Sequence, residues 1–504
     1  MSNRIKQQKK QSDREEKMLE QIRRGKSTRV EFKAWREKAS LPNRVNMLPC
    51  AEEEVQAKQE MMEDTVKVYR KMLPGLLQKL SRIPDHRQVE RIKHKHTVLL
   101  LYGILMFVQQ MGSRREVNRS MDRIKFENLQ NMFPELETMP HADTLARFLE
   151  VTVVEDIQMS MVDLLKDLIR KKKFRNHLVN GNYLIAIDGT QKLFRDYKWD
   201  ENCLIRHVGE EKKPQYYIYV LESVLVLGNG VTLPLLSEFL KNENYVEGVS
   251  KQDCERKAFT RLAQRIKSIF SKMKVTLLVD GLYACGPVLK TCRNYKWGYM
   301  ITLKEGSLPE VWDDAMSLMR IAPENSRRVI WGDRLQEYAW ANGIEHEYGE
   351  KRTFREAVHV AYCLESWEER HSRSTGKIEK KSTRYCWISS VPLSGRNIYE
   401  RCTRMGRYRW MIENNILTEK HQGYEYEHCY SYTWNAMEGY HYLMKIGRFL
   451  NVMAANSEIL NARVKKYGIR GFVDRMNRVI SGSLLDAVGL QKAVSEKHQF
   501  RLVC

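Results

Sequence analysis

The sequence predicts an α/β protein, with a mixed-sheet core carrying a β-rich insertion and preceded by an all-α basic region. Three observations carry that expectation. Apolar residues recur at spacings of three and four from about 60 to 175, as on amphipathic helices. After 180 the texture changes to short β-branched and aromatic runs alternating with helical stretches, which is the pattern of an α/β core. From 306 to 395 a tryptophan-bearing stretch that reads as β-rich interrupts this alternation.

Taken in order, residues 1–60 form a basic arm, helical or disordered. Its first 50 residues hold 14 Lys and Arg against 6 Asp and Glu, with few apolar positions. Such a segment cannot bury enough surface to order itself, so it is either a solvated tail or an arm that folds on a partner. Residues 61–180 are expected to form an all-α DNA-binding region. TVKVYRKMLPGLLQKL and DTLARFLEVTVVEDIQMSMVDLLKDLIR carry the helical period, and the second follows a start signal at Pro140 and His141. TVLLLYGILMFV, 97–108, is too short to span a bilayer and reads as a buried helix.

The core's first part is expected over 181–305. YLIAIDG, QYYIYVLESVLVL and VTLPLLSEFL read as strands, with Gly228-Asn229-Gly230 as a hairpin between the last two. The helix DCERKAFTRLAQRIKSIFSKM follows, then the strand KVTLLVDG, a helix near 286–294 and the strand WGYMITL. The β-rich insertion occupies 306–395, the second part of the core 396–460, opening on a long helix, and a helical segment 461–504.

Composition narrows the function. The 504-residue chain is long enough for several domains, and its 85 Lys and Arg against 63 Asp and Glu leave a net charge of +22. An excess of that size points to a polyanionic partner, most simply nucleic acid. None of the 10 cysteines forms a Cys-x-x-Cys pair, which argues against zinc-ribbon and thioredoxin chemistry. The amino terminus lacks the apolar core of a signal peptide, so an intracellular, membrane-free protein is expected.

Two strands end alike. YLIAIDG delivers Asp188 before Gly189, and KVTLLVDG delivers Asp280 before Gly281. Singly, each Asp-Gly is also a favoured tight-turn dipeptide. Together they place two carboxylates at strand ends, where α/β folds build their sites. A third acid, Glu413, lies in GRYRWMIENNILTEKHQG, where Arg409, Glu413 and Lys420 fall within about 40° of one another at about 100° per helical residue. An ordinary surface ion pair gives the same spacing. Three carboxylates on a basic chain suit Mg²⁺ held by oxygen ligands and substrate phosphates, and two such ions can activate an attacking oxygen and stabilise a leaving one. Arg409 and Lys420 would then meet flanking phosphates.

At these residues the sequence resembles the bacterial insertion-sequence transposases that carry an Asp-Asp-Glu triad on a ribonuclease-H-like core interrupted by a β-rich insertion. The resemblance covers roughly 75–455 and rests on YLIAIDGTQ, KQDCERKAF, VTLLVDGLYACGP and RWMIENNILTEKHQGYEYEHCYS. The family's helix signature, Tyr-x2-Arg-x3-Glu-x6-Lys, maps onto Arg409, Glu413 and Lys420. At the Tyr position this chain has Gly406, with Tyr408 two residues on.

The resemblance implies DNA transposition. Asp188, Asp280 and Glu413 would be catalytic and would hold two Mg²⁺ ions, or Mn²⁺ in their place. Arg409, Lys420 and Tyr408 would contact DNA. Water would cleave at the element's ends to free a 3′-hydroxyl, which would attack target DNA at the same site. The implied partners are double-stranded DNA and further copies of the chain, in a homodimer or larger synaptic complex on the bacterial nucleoid. Trp331, Trp340, Trp367 and Trp387 are candidates either for core packing or for stacking on a displaced base, and His421 and His428 for phosphate contact or simple polar roles. The competing readings are a ribonuclease-H-like nuclease or resolvase, and a non-catalytic DNA-binding derivative.

Overall fold

The computed structural model describes residues 29–32, 48–242, 251–370 and 378–503. Most of the expected amino-terminal arm lies outside the described residues. Its described stretches are a strand, β1 (Arg29–Phe32), and residues 48–60, which lead into the first helix. The helices that follow are α1 (Ala51–Tyr69), α2 (Leu73–Leu80), α3 (His96–Val108), α4 (Arg114–Ser120), α5 (Arg123–Met132), α6 (Ala142–Val151) and α7 (Glu155–Arg170). Next come β2 (Tyr183–Arg195), β3 (Leu204–Val208), β4 (Lys213–Val226), β5 (Thr232–Phe239), α8 (Glu255–Ile269), β6 (Val275–Val279), α9 (Gly286–Tyr295) and β7 (Gly298–Thr302). Then α10 (Pro309–Ile321) leads into β8 (Ser326–Trp331), β9 (Arg334–Tyr348), β10 (Phe354–Arg370) and β11 (Ile378–Ser389). The chain continues through α11 (Ile398–Thr403), α12 (Trp410–His421), α13 (Trp434–Ala455), α14 (Asn461–Gly482) and α15 (Ala487–Ser495). The fold is α/β with mixed parallel and antiparallel strand pairing. No helix among the described residues is long and apolar enough to cross a membrane.

The chain divides into two compact units. The first comprises Met1–Lys38, Leu178–Asp188 and Ser271–Ile412, and the second comprises Ala39–His177, Gly189–Phe270 and Glu413–Cys504. In the first unit, β2, β6 and β7 run parallel as neighbours. The long antiparallel strands of the insertion extend from β7 through β11, β10 and β9 to β8, and β1 adds in parallel on β8. The parallel strands are buried along their length, Val275–Val279 completely, as crossover-connected strands must be when helices cover their faces.

The second unit is largely helical. Its centre is α3, in which Val98 through Val108 are all buried, with α13 packed along it. A helix apolar on every side belongs in a core rather than on a surface. The β4–β5 hairpin forms as the Gly228-Asn229-Gly230 motif predicts, with Gly230 at φ +83°.

Several expectations change. The arm boundary expected at 60 falls inside α1, and Arg29–Phe32 is strand rather than helix. The insertion opens on a helix, α10, whose Val311, Ala315 and Met319 are buried at a spacing of four behind Pro309. β3 had no readable alternation, because Arg206, His207 and Val208 are exposed together. The expected long helix from 396 is three pieces: α11, a 3-10 turn over Gly406–Arg409, and α12.

Gly189 is not a turn residue. β2 runs straight through it to Arg195, and a Cβ there would lie 2.5 Å from the Tyr219 ring and 2.6 Å from Glu255 Oε1. Tyr219 donates to that same oxygen at 2.6 Å, so the space is filled by a hydrogen-bonded pair. A turn glycine tolerates Asn, whereas a close-packed one tolerates no side chain. Gly189→Ala should therefore cost about 1–3 kcal/mol in urea unfolding, and Gly189→Asn at least as much. Asn less harmful than Ala would show that backbone conformation, not packing, selects the glycine.

Candidate active site

The first unit brings two of the expected acids together. Ala186 of β2 pairs with Leu278 of β6 in parallel register, so two residues further along Asp188 stands opposite Asp280. Side chains two apart on a strand share a face, and adjacent strands lie about 4.8 Å apart, so the register puts both aspartates on one face of neighbouring strands, Asp188 within β2 and Asp280 just past the end of β6. Both residues are half-buried, although the strand residues before them are fully buried. Asp280 also caps the 3-10 turn Gly281–Tyr283, accepting from the Leu282 N–H at 2.9 Å. The strand end therefore fixes the side chain as well as the backbone.

Cations lie beside this pair. Arg409 Nη1 is 3.7 Å from Asp188 Oδ2, and its side chain is only 8% exposed. Lys304, two residues beyond the end of β7, lays its aliphatic stem within 3.3 Å of where a Gly281 Cβ would stand. Sequence reading passed over Lys304. The available signal was that WGYMITLKEG ends a third parallel strand beside the other two.

Arg409 comes from the 3-10 turn, whose start explains Gly406. A Cβ at Gly406 would lie 2.8 Å from the Trp387 indole, so the tyrosine of the resembled signature does not fit there. Tyr408 turns inward at 2% exposure, and burial pushes its hydroxyl pKa up to about 12. Trp331, Trp340 and Trp387 are buried, while Trp367 is half-buried with the Arg334 guanidinium 4.1 Å from its ring centre.

Glu413 and Lys420 lie on α12 and belong to the second unit. Seven residues apart, they fall within about 20° on the helix. Lys420 pairs with Glu427 at 2.7 Å, and His421 and His428 are exposed. The opposite side of α12 is anchored by buried charge. Asn415 donates to Glu419 at 2.9 Å, Glu419 pairs with Lys445 at 2.6 Å, and Lys445 reaches Glu222 at 3.0 Å. Ser237 and Tyr426 donate to Glu222 at 2.7 and 2.8 Å, and His441 Nε2 lies 3.3 Å away. Asn415, an unfavourable residue for mid-helix, is thus accounted for by what it bonds.

Burial alone would raise the Glu222 pKa, but Lys445, His441 and the hydrogen bonds outweigh it and hold the carboxylate ionised. Burial depresses His441 to about 3 and Lys192, whose amine donates to the Tyr426 carbonyl at 2.8 Å, to about 8.

Among the described residues no three His, Cys, Asp or Glu side chains gather in a metal-holding group. The Asp188 and Asp280 pair nonetheless has the donor chemistry of a hard divalent cation: carboxylate oxygens, partial exposure and like charges that need an offset. No family model matches the chain, and no curated protein matches it.

Two outcomes follow. His441 stays neutral in the fold, while the unfolded chain takes up its proton near 6.5, so stability falls as pH drops from 6.5 towards 3. This group contributes a slope of up to about 1.4 kcal/mol per pH unit. His441→Gln should flatten urea-derived stability across that window by about this slope, and an unchanged slope would place the proton uptake elsewhere. At the site, Arg409→Gln removes the cation facing Asp188. Mn²⁺ should then bind the DNA-free protein about three- to tenfold more tightly by paramagnetic resonance titration. Unaltered or weaker binding would mean that Arg409 does not oppose cations there.

Proposed function

We propose that the chain is a metal-dependent DNA transposase, cleaving phosphodiester bonds at the ends of a mobile element and joining the freed 3′-hydroxyls to target DNA. The observation that carries this reading is the register of Asp188 and Asp280 on adjacent parallel strands, with Arg409 against them. In this reading Asp188 and Asp280 are catalytic, and Glu413 completes the ligand set for Mg²⁺ or Mn²⁺. Two bound ions would supply charge stabilisation for the attacking and leaving oxygens.

The chain's own residues set the substrate. Arg409 presents a planar guanidinium suited to a phosphate, and Lys420 offers a second cation one α12 face-width from Glu413. Lys304, whose stem lies over the glycine after Asp280, would add a third. A net charge of +22 favours a polyanion over a neutral sugar or peptide. Joining two element ends to one target site calls for at least two copies of the chain, each bound to double-stranded DNA.

The test uses a plasmid carrying the coding sequence with its native flanks, incubated with the purified protein in Mg²⁺. Cleavage at two fixed boundaries and joined products are expected. Asp188→Asn and Asp280→Asn should each lower the cleavage rate by on the order of a thousandfold, about 4 kcal/mol of barrier, while DNA affinity is retained. Cleavage without joining would favour a nuclease or resolvase, and tight binding without cleavage a non-catalytic derivative.

A further inference from the structure

The turn that delivers Arg409 is gripped by the insertion through a buried cluster that the proposed chemistry does not itself use. Arg407 pairs with Glu365 of β10, whose carboxylate is fully buried. Glu365 also accepts from Arg334 of β9 and, at 2.9 Å, from Gln336 Nε2. The Arg407 guanidinium lies 4.8 Å from the Trp331 ring centre, 4.8 Å from that of Tyr385 and 5.6 Å from that of Trp410. A second strap runs through Tyr338, whose hydroxyl bonds Gln336 Oε1 and Thr403 Oγ1, both at 2.6 Å. Every insertion strand from β8 to β11 thus contributes a side chain to this grip.

Burying such a cluster is a poor way to gain stability. Desolvating three charges is costly, and apolar replacements of similar volume often hold a fold as well or better. What directional bonds and stacked rings supply is orientation. In a 3-10 turn each residue advances about 120°, so Arg407 and Arg409, two apart, leave the turn on different sides. Fixing Arg407 in the insertion therefore fixes Arg409 towards Asp188, which it meets at 3.7 Å. Gly406, pressed on Trp387, leaves the turn no freedom to slide.

We propose that Arg407 is a positioning residue: the insertion, through Glu365 and the Trp331, Tyr385 and Trp410 rings, sets where Arg409 sits beside the catalytic carboxylates. The catalytic part of this statement rests on the function proposed above, while the positioning part does not. The experiment compares Arg407→Met and Glu365→Gln with Val360→Ala, a fully buried apolar position five residues before Glu365 on the same strand, which sets the baseline for general loosening. Hydrogen exchange is read at the amides of 406–412, together with single-turnover cleavage and affinity for element-end DNA. Arg407→Met should speed exchange at 406–412 by about tenfold and slow cleavage by about thirtyfold, with affinity changed by less than about threefold. Val360→Ala should do neither beyond its general loss of stability.

Exchange and cleavage in Arg407→Met no worse than in Val360→Ala would overturn the proposal. If Arg407→Met fails to fold, Glu365→Gln, which removes one charge at constant shape, decides by the same two readouts. Faster exchange at 406–412 in a protein whose wild type cuts no DNA would sustain the positioning of Arg409 and overturn the transposase reading instead.

Discussion

Two carboxylates held about one strand spacing apart repel each other, and a fold that places them so must surround them with positive charge. Asp188 and Asp280 impose this constraint on the first unit. Their height is fixed by the backbone register of β2 and β6 and cannot relax without sliding a buried strand. The surroundings answer in kind. Arg409 closes on Asp188, the Lys304 stem lies over the glycine after Asp280, and the turn bearing Arg409 is fastened by further charge. A strand end with a single aspartate could settle for a backbone cap, as Asp280 does with Leu282. The pair adds a second like charge beside the first, and Arg409 offsets it from the Asp188 side.

The two buried charge clusters solve different problems. Around Arg407 a carboxylate is paired with two guanidinium groups, that of Arg407 lying over the Trp331 and Tyr385 rings, and the result is a direction for the next turn of chain. Around Lys445 two carboxylates flank one buried ammonium, and the result is a fixed azimuth for α12 through Glu419 and Asn415. In both, removing one partner leaves an uncompensated buried charge, far costlier than losing a surface ion pair. Stability and orientation are therefore coupled at the residues that flank Glu413 in sequence.

Much of this was legible in the sequence wherever a period or a strand end announced itself. α3 is evident in an unbroken apolar run, β6 in VTLLV before Asp280, and the β4–β5 hairpin in its paired glycines. The two aspartates could be picked out because each follows an unbroken apolar run, although only Asp280 lies at a strand end and β2 continues past Asp188. What stayed hidden depended on tertiary partners. Gly189 looks like a turn until Tyr219 and Glu255 are seen to fill the space above it. Gly406 reads as a gap in a motif until Trp387 is found against it. Tryptophans made the start of the insertion read as strand, although Val311, Ala315 and Met319 already carried a helical period there. Lys304 has no local signature at all, since only the parallel order of β2, β6 and β7 makes the end of a third strand part of the neighbourhood.

The break between α11 and α12 matters most for chemistry. A continuous helix from 396 would present Arg409, Glu413 and Lys420 as one stripe, all moving together. The 3-10 turn over Gly406–Arg409 separates them. Arg409 takes its direction from side chains of the insertion, whereas Glu413 and Lys420 take theirs from the α-helical period that begins at Trp410. The guanidinium facing Asp188 is thus held by one set of contacts, and Glu413 on α12 by another. Substitutions in the insertion then act on Arg409, and substitutions on the buried side of α12 act on Glu413 and Lys420. This division gives the insertion, remote in sequence from both aspartates, a direct physical hold on the residue beside them.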